Sequence, residues 1–250
     1  MWASQSFDPA HADPTSWQAE LGTAAHLGIE HTLRAWQAAG GMSSDSALIV
    51  RHWMAAQWSW LEAWETYRLG ERDGAPADPI TGARWIADIG DRWVRWALGH
   101  LHPDVGAWEI EERYTKELYD GPECKITLTG VVDLVTEVEA IDWKTGKVDP
   151  MWQVDRYDHQ TTVYQHLTGR PTSLVHIPRV WDDEPVSVRA PQRDERHLAA
   201  LVDELKDVAR AADAGVWQRR PTGWWCSARW CGLHARGECH GAHIQIHGRG

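Results

Sequence analysis

The sequence predicts an α/β (α+β) fold, with a helical portion followed by a central mixed β-sheet flanked by helices. Three observations predict it. Helical periodicity runs through residues 14–101 and then stops. Alternating, β-branched segments begin at Trp108 and continue to about residue 146. A helix, two more strand-like segments and a long amphipathic helix come next, an order that is not the regular alternation of a parallel βαβ array.

The first helix, about 14–38, follows Asp13-Pro14, carries Ala24, His26, Ile29, Leu33 and Trp36, and runs out at Gly40-Gly41. A second begins near Ser44 or Asp45 and stops near Gly70. In it Trp53, Trp60 and Trp64 fall at roughly helical spacing with Leu61, the pattern of a core face. A third spans about Thr81 to Leu101 and is ended by His102-Pro103. Residues 108–114 alternate like a strand, Lys125–Val135 is β-rich, and Ala140–Lys144 is a short strand after a turn. A helix over about 152–168 is closed by Gly169 with Pro171 just beyond. Strands follow over 173–180 and 186–190. Residues about 192–214 form an amphipathic helix through Leu198, Leu201, Val202, Leu205 and Val208. The final 35 residues are rich in Trp, Cys, His and Arg and have no clear period. A length of 250 residues suits one domain in three portions: mainly helical to about 104, sheet and core over 105–215, and a tail over 216–250.

Hydrophobic residues make up 43% of the chain, enough for a packed core, and the aromatic set is lopsided at 18 Trp to 1 Phe. A net charge of −11 excludes a protein that coats nucleic acid through bulk positive charge. It leaves room for a local basic groove. Six arginines (210, 219, 220, 229, 236 and 249) stand against Asp213 and Glu238 after residue 209, and a groove or a solvated tail accounts for them equally. No stretch approaches the roughly 20 apolar residues of a membrane span, and the N-terminus lacks a signal-peptide pattern. The expected location is cytoplasmic, where the four cysteines would stay reduced.

The chemistry centres on Gly130-Val-Val-Asp133 and, eight residues on, Asp142-Trp-Lys144-Thr-Gly146. Two strands joined tightly bring Asp133 near Asp142. Asp142 and Lys144, two apart, share a face, and Trp143 points the other way into packing. Converging carboxylates beside an ammonium suit a hard, oxygen-seeking cation. Taken alone, Asp-x-Lys describes a surface ion pair at least as well. The surrounding residues add to it: Gly22-x3-His26 with Glu30 on the first helix, and Gln160-x3-Tyr164 on the helix after the hairpin. Glu109, Glu111 and Glu112 lie on the preceding strand, where an edge exposed to solvent is the simpler reading, although one of them is placed to approach from a neighbouring strand.

In this order the four motifs resemble the RecB-like branch of the PD-(D/E)XK nuclease superfamily, the branch that includes CRISPR-adaptation and phage exonuclease relatives. The resemblance runs from about residue 22 to 164, and to 239 if the cysteines belong to it. It implies hydrolysis of DNA phosphodiester bonds with Mg²⁺ or Mn²⁺. The metal would be held by His26, Asp133, Asp142 and the backbone carbonyl of Trp143. Lys144 would be catalytic, supported by Gln160 and Tyr164. Val132 rather than proline precedes Asp133, an ordinary substitution within this branch. No phosphate-binding Gly-x4-Gly-Lys-[Ser/Thr] loop occurs, so ATP is not expected. By analogy with small nucleases of this branch, the resemblance implies an exonuclease that processes ends in phage or recombination metabolism, with a recombination partner protein as a candidate associate. Two rivals are a lapsed site that serves as an assembly partner and a site-specific endonuclease.

Cys226-x4-Cys231-x7-Cys239 suggests a soft-metal site in the tail. Some RecB-like relatives bind a [4Fe-4S] cluster with three such C-terminal cysteines and a fourth before the His motif. This chain has no cysteine before Cys124, so Cys124 or a nearby His is the fourth candidate, and structural Zn²⁺ is the alternative.

Overall fold

Helix α1 (Trp17–Ala39) buries Leu21, Ala24, Ala25, Ile29, Leu33 and Trp36 along one stripe, the spacing that predicted it. These observations come from a computed structural model, in which residues 16–72, 74–122, 124–146, 157–179 and 183–214 are described. Helix α2 (Ser46–Thr66) starts at Asp45, whose side chain accepts the Ala47 N–H at 2.9 Å. Helix α3 (Pro79–His100) begins two residues earlier than periodicity suggested. Asp78 caps it by accepting the Thr81 N–H, and proline occupies the first turn, where no N–H is needed.

Tryptophan locks the three helices together. Trp53 lies between Gly28 of α1 and Gly90 of α3, so close that a Cβ on either glycine would come within 2.7 Å and 2.4 Å of its ring. Trp93 stacks on Trp36 at 5.7 Å and meets Trp143 of the sheet edge-to-face at 5.7 Å. Trp53 and Trp60 are buried and Trp64 packs against the same core, as their spacing implied. Trp58 is the exception, 66% exposed.

The sheet follows: β1 (Glu109–Asp120), β2 (Lys125–Val135), β3 (Ala140–Gly146), helix α4 (Asp158–Thr168), β4 (Thr172–Pro178), β5 (Val186–Arg189) and helix α5 (Glu195–Asp213). Its spatial order is β1-β2-β3-β4-β5. The β3–β4 pair is parallel and the other three pairs are antiparallel, which makes the sheet mixed. A parallel pair needs a crossover, and α4 lies within it. Gly169, at φ +68°, ends that helix in the left-handed conformation expected of a C-terminal glycine. β4 is buried along its whole length.

Leu134, Ile141, Trp143, Val175 and Ile177 belong to the helical core, whereas Val132, Val135 and Ala140 pack with Tyr164 of α4. The strands thus hold apolar contacts with helices from both ends of the sequence order. Residues 17–206 form one compact unit that carries everything below; of a second unit only Ser16 and residues 207–214 are described. No described helix is long and apolar enough to cross a membrane. The tail motif Cys226, Cys231 and Cys239 lies outside the described residues.

Candidate active site

Gly22 lets α1 approach the sheet: a Cβ there would stand 3.0 Å from Thr145 Oγ1. One turn on, His26 Nδ1 lies 3.6 Å from Asp133 Oδ2. The β2–β3 register, through Leu134↔Ile141, sets Asp133 opposite Asp142. Asp133 Oδ2 also accepts the backbone N–H of Trp143 at 2.7 Å. The Trp143 side chain turns away and is buried against Trp93 and Trp96.

Asp142 and Lys144 share a face, as period-two geometry required. Lys144 Nζ pairs with Asp142 Oδ2 at 2.6 Å, a contact that is not also a directed hydrogen bond. Gln160 spans both residues. Its Oε1 accepts from Lys144 Nζ at 3.1 Å, and its Nε2 donates to Asp142 Oδ1 at 3.0 Å and to Tyr164 Oη at 2.8 Å. The Tyr164 hydroxyl donates onward to the Val131 carbonyl at 2.8 Å. The i, i+4 pair on α4 therefore fixes the ammonium and the carboxylate in one array. Gly130 admits α4: a Cβ there would meet Leu167 at 3.1 Å and Tyr164 at 3.5 Å. The Tyr157 ring lies 4.3 Å from Lys144 Nζ, within cation–π range.

Glu111 completes the cluster. The pairs Ile110↔Leu134 and Glu112↔Val132 put it opposite Asp133, at φ +52°, a left-handed backbone that a glutamate rarely adopts. One donor atom each from His26, Glu111 and Asp133 lie within 4.8 Å of one another. His26 and Glu111 line an open cleft of about 540 Å³ together with Glu30 and Lys144.

The electrostatics follow from burial. Asp133 is held well above the usual carboxylate range by desolvation and then by the Asp142 charge. Glu111 is pushed up to about 7 by desolvation and then by Asp133. Burial lowers His26, which favours the neutral imidazole, the form that can ligate metal. Burial also raises the Tyr164 hydroxyl, so it stays protonated as a donor. Lys144 is the described cation that pairs directly with this group, and it contacts Asp142. Carboxylates short of countercharge, with an imidazole beside them, are a donor set that a divalent hard cation fits.

His26, Asp133, Asp142, Trp143, Lys144, Gln160 and Tyr164, all expected from sequence, come together. Cys124 lies just before β2, half-buried with a free thiol, and its predicted cysteine partners are outside the described residues. The edge-exposed reading of Glu109, Glu111 and Glu112 needs correction for Glu111, which is half-buried at the cluster. Glu109 instead accepts a hydrogen bond from the Tyr114 hydroxyl. The available signal for Glu111 was the hairpin register, which could be worked out only once the β1–β2 pairing was known. Tyr157 carried no comparable signal.

Among solved structures, one named "Putative exonuclease" from Eubacterium rectale aligns at TM-score 0.51 and 12% identity, over 86% of this chain and 75% of that one. A protein named SSO0001 aligns at TM-score 0.43 and 16% identity, over 73% and 80%. No curated protein matches the chain. The family model described as the PD-(D/E)XK nuclease superfamily matches residues 5–236, and the chain belongs to that superfamily.

Proposed function

We propose that this chain is a Mg²⁺- or Mn²⁺-dependent deoxyribonuclease acting as an exonuclease on DNA ends. The observation that carries the reading is the Asp142–Lys144–Gln160 array set beside His26, Glu111 and Asp133. His26, Asp133, Asp142, the Trp143 carbonyl and Glu111 are the residues that would hold the cation. A cation bound there would polarise a phosphodiester and lower the pKa of a water. Lys144, paired with Asp142, would offer its ammonium to negative charge developing on the phosphate or to the attacking water. Gln160 and Tyr164 hold that ammonium in place, so its position is fixed before substrate arrives.

The exonuclease reading draws on the RecB-like motif order and on the name of the Eubacterium rectale structure. The same motif order supports a role in phage or recombination metabolism, beside a recombination partner protein, and we place that role in the cytoplasm. The three tail cysteines support a second metal centre, a [4Fe-4S] cluster ahead of structural Zn²⁺. The connected array weighs against a lapsed assembly partner.

Linear duplex, single-stranded and closed circular DNA, each with Mg²⁺, Mn²⁺ or EDTA, test the reading. Expected are loss of linear DNA with either metal, no cleavage in EDTA and intact circles. Cleavage of closed circles would move the reading to an endonuclease, and cleavage in EDTA would overturn it.

A further inference from the structure

On α1 every fourth residue from Gly22 falls on one row: Gly22, His26, Glu30 and Arg34. The first three line the catalytic cleft, and Arg34 stands one turn beyond them. Its guanidinium makes two contacts of different kinds. Nε donates to Glu30 Oε1 at 2.8 Å, within the helix. Nη2 donates to the Ile110 carbonyl at 3.0 Å, on β1. An exposed i, i+4 ion pair contributes little by itself. The contact with the strand carries the inference, because the planar fork of an arginine sets both directions at once.

Ile110 immediately precedes Glu111, whose donor oxygen lies within 4.8 Å of the donor atoms of His26 and Asp133. One planar peptide group joins the two residues, with the Ile110 oxygen and the Glu111 nitrogen both in it. A hold on that oxygen therefore fixes the plane out of which the Glu111 backbone rotates. Its φ is +52°, where any residue but glycine is strained. Such a conformation persists only where its surroundings over-determine it. The pairs Ile110↔Leu134 and Glu112↔Val132 anchor the strand on either side, and Arg34 anchors the peptide between them. Relaxation of Glu111 to the extended region would redirect its Cβ, and with it the carboxylate. The same guanidinium reaches Glu30, one turn after His26. It thus joins the helix that carries one residue of the cation site to the strand that carries another.

We propose that Arg34 is a positioning residue for the cation site: by holding the Ile110 carbonyl it keeps Glu111 in the left-handed backbone that sets its carboxylate beside His26 and Asp133. In this role Arg34 itself touches neither metal nor DNA. The proposal rests on the metal-dependent nuclease reading above, and its test reads metal binding apart from cleavage.

Full-length wild type, Arg34→Met, Glu111→Gln and the double variant are titrated with Mn²⁺ in the absence of DNA, with free Mn²⁺ followed by its electron paramagnetic resonance signal. Arg34→Met should bind Mn²⁺ about 10–100-fold more weakly than wild type, the range for losing a group that orients a ligand. Its thermal midpoint in EDTA should stay within about 4 °C of wild type, the scale of one exposed contact in a chain of this size. In the Glu111→Gln background, Arg34→Met should cost nothing further, because the carboxylate that it positions has gone. A general loosening of the fold would instead lower affinity by the same factor in both backgrounds. Saturating Mn²⁺ should return Arg34→Met to near wild-type cleavage of linear DNA.

If Arg34→Met does not fold, Arg34→Lys decides. It keeps the charge but cannot hold Glu30 and the Ile110 carbonyl with one planar fork, and it should weaken Mn²⁺ binding only where Glu111 is present. Wild-type affinity in the folded Arg34 variants, wild-type affinity in Glu111→Gln, or equal losses in both backgrounds would overturn the assignment while leaving the nuclease reading intact. Wild type that binds Mn²⁺ but cuts no DNA would overturn the nuclease reading alone, and wild type that binds no Mn²⁺ would overturn both.

Discussion

Replacing Glu111 with glutamine should stabilise the metal-free protein and weaken the metal-bound one. In the folded chain Glu111 is raised from 4.5 to about 7 by burial and by Asp133. A folded-state pKa above the unfolded one means that the folded chain holds the proton more tightly. The associated stability is fully present below about 4.5 and is lost as pH rises through about 7. At about 1.4 kcal/mol per pH unit, the full loss is about 3 kcal/mol by pH 8, and solvent screening of a half-buried group brings it to roughly 1–3 kcal/mol. Glu111→Gln removes the charge and should recover much of that at pH 8, with further relief for Asp133. The gain shrinks below about 1 kcal/mol near pH 5, where wild-type Glu111 is itself mostly protonated. For a chain of this size each kcal/mol moves Tm by about 2–4 °C, so melting curves in EDTA at pH 5 and pH 8 resolve the difference. With Mn²⁺ at pH 8 the order should reverse, because wild type gains binding energy that the variant has lost with its ligand. A Glu111→Gln protein no more stable than wild type in EDTA at pH 8 would refute the electrostatic reasoning. An order that fails to reverse with Mn²⁺ would remove Glu111 from the metal site.

Lys144→Ala should lower cleavage by at least about a hundredfold, the scale of losing one transition-state electrostatic contact, while DNA affinity changes severalfold at most; single-turnover rates beside binding titrations check it. Gly22→Val should push α1 away from Thr145, 3.0 Å from the added Cβ, and displace His26 with it. The expected result is a larger loss of metal affinity than of Tm, measured by Mn²⁺ titration and melting. Anaerobically purified protein should carry iron and sulfide, and Cys231→Ser should lose both together with the visible absorption; one zinc and no colour would select the alternative, and neither metal would dismiss the tail centre.

The Asp142–Lys144–Gln160–Tyr164 array was legible in the sequence because its members are fixed by local periodicity. Asp142 and Lys144 share a face in any extended strand, and Gln160 and Tyr164 share one in any helix. The glycines were quoted as motif letters, but their physical role needed the packing. Gly22 and Gly130 sit where α1 and α4 come against the sheet, too close for a Cβ without displacing a neighbour. Glu111 was hidden for a different reason. Nothing in Glu-Ile-Glu-Glu separates one carboxylate from the next, and an alternating strand places Glu109 and Glu111 alike. What separates them is the pairing partner: Glu111 lies opposite Asp133 with an irregular backbone, and Glu109 opposite Val135.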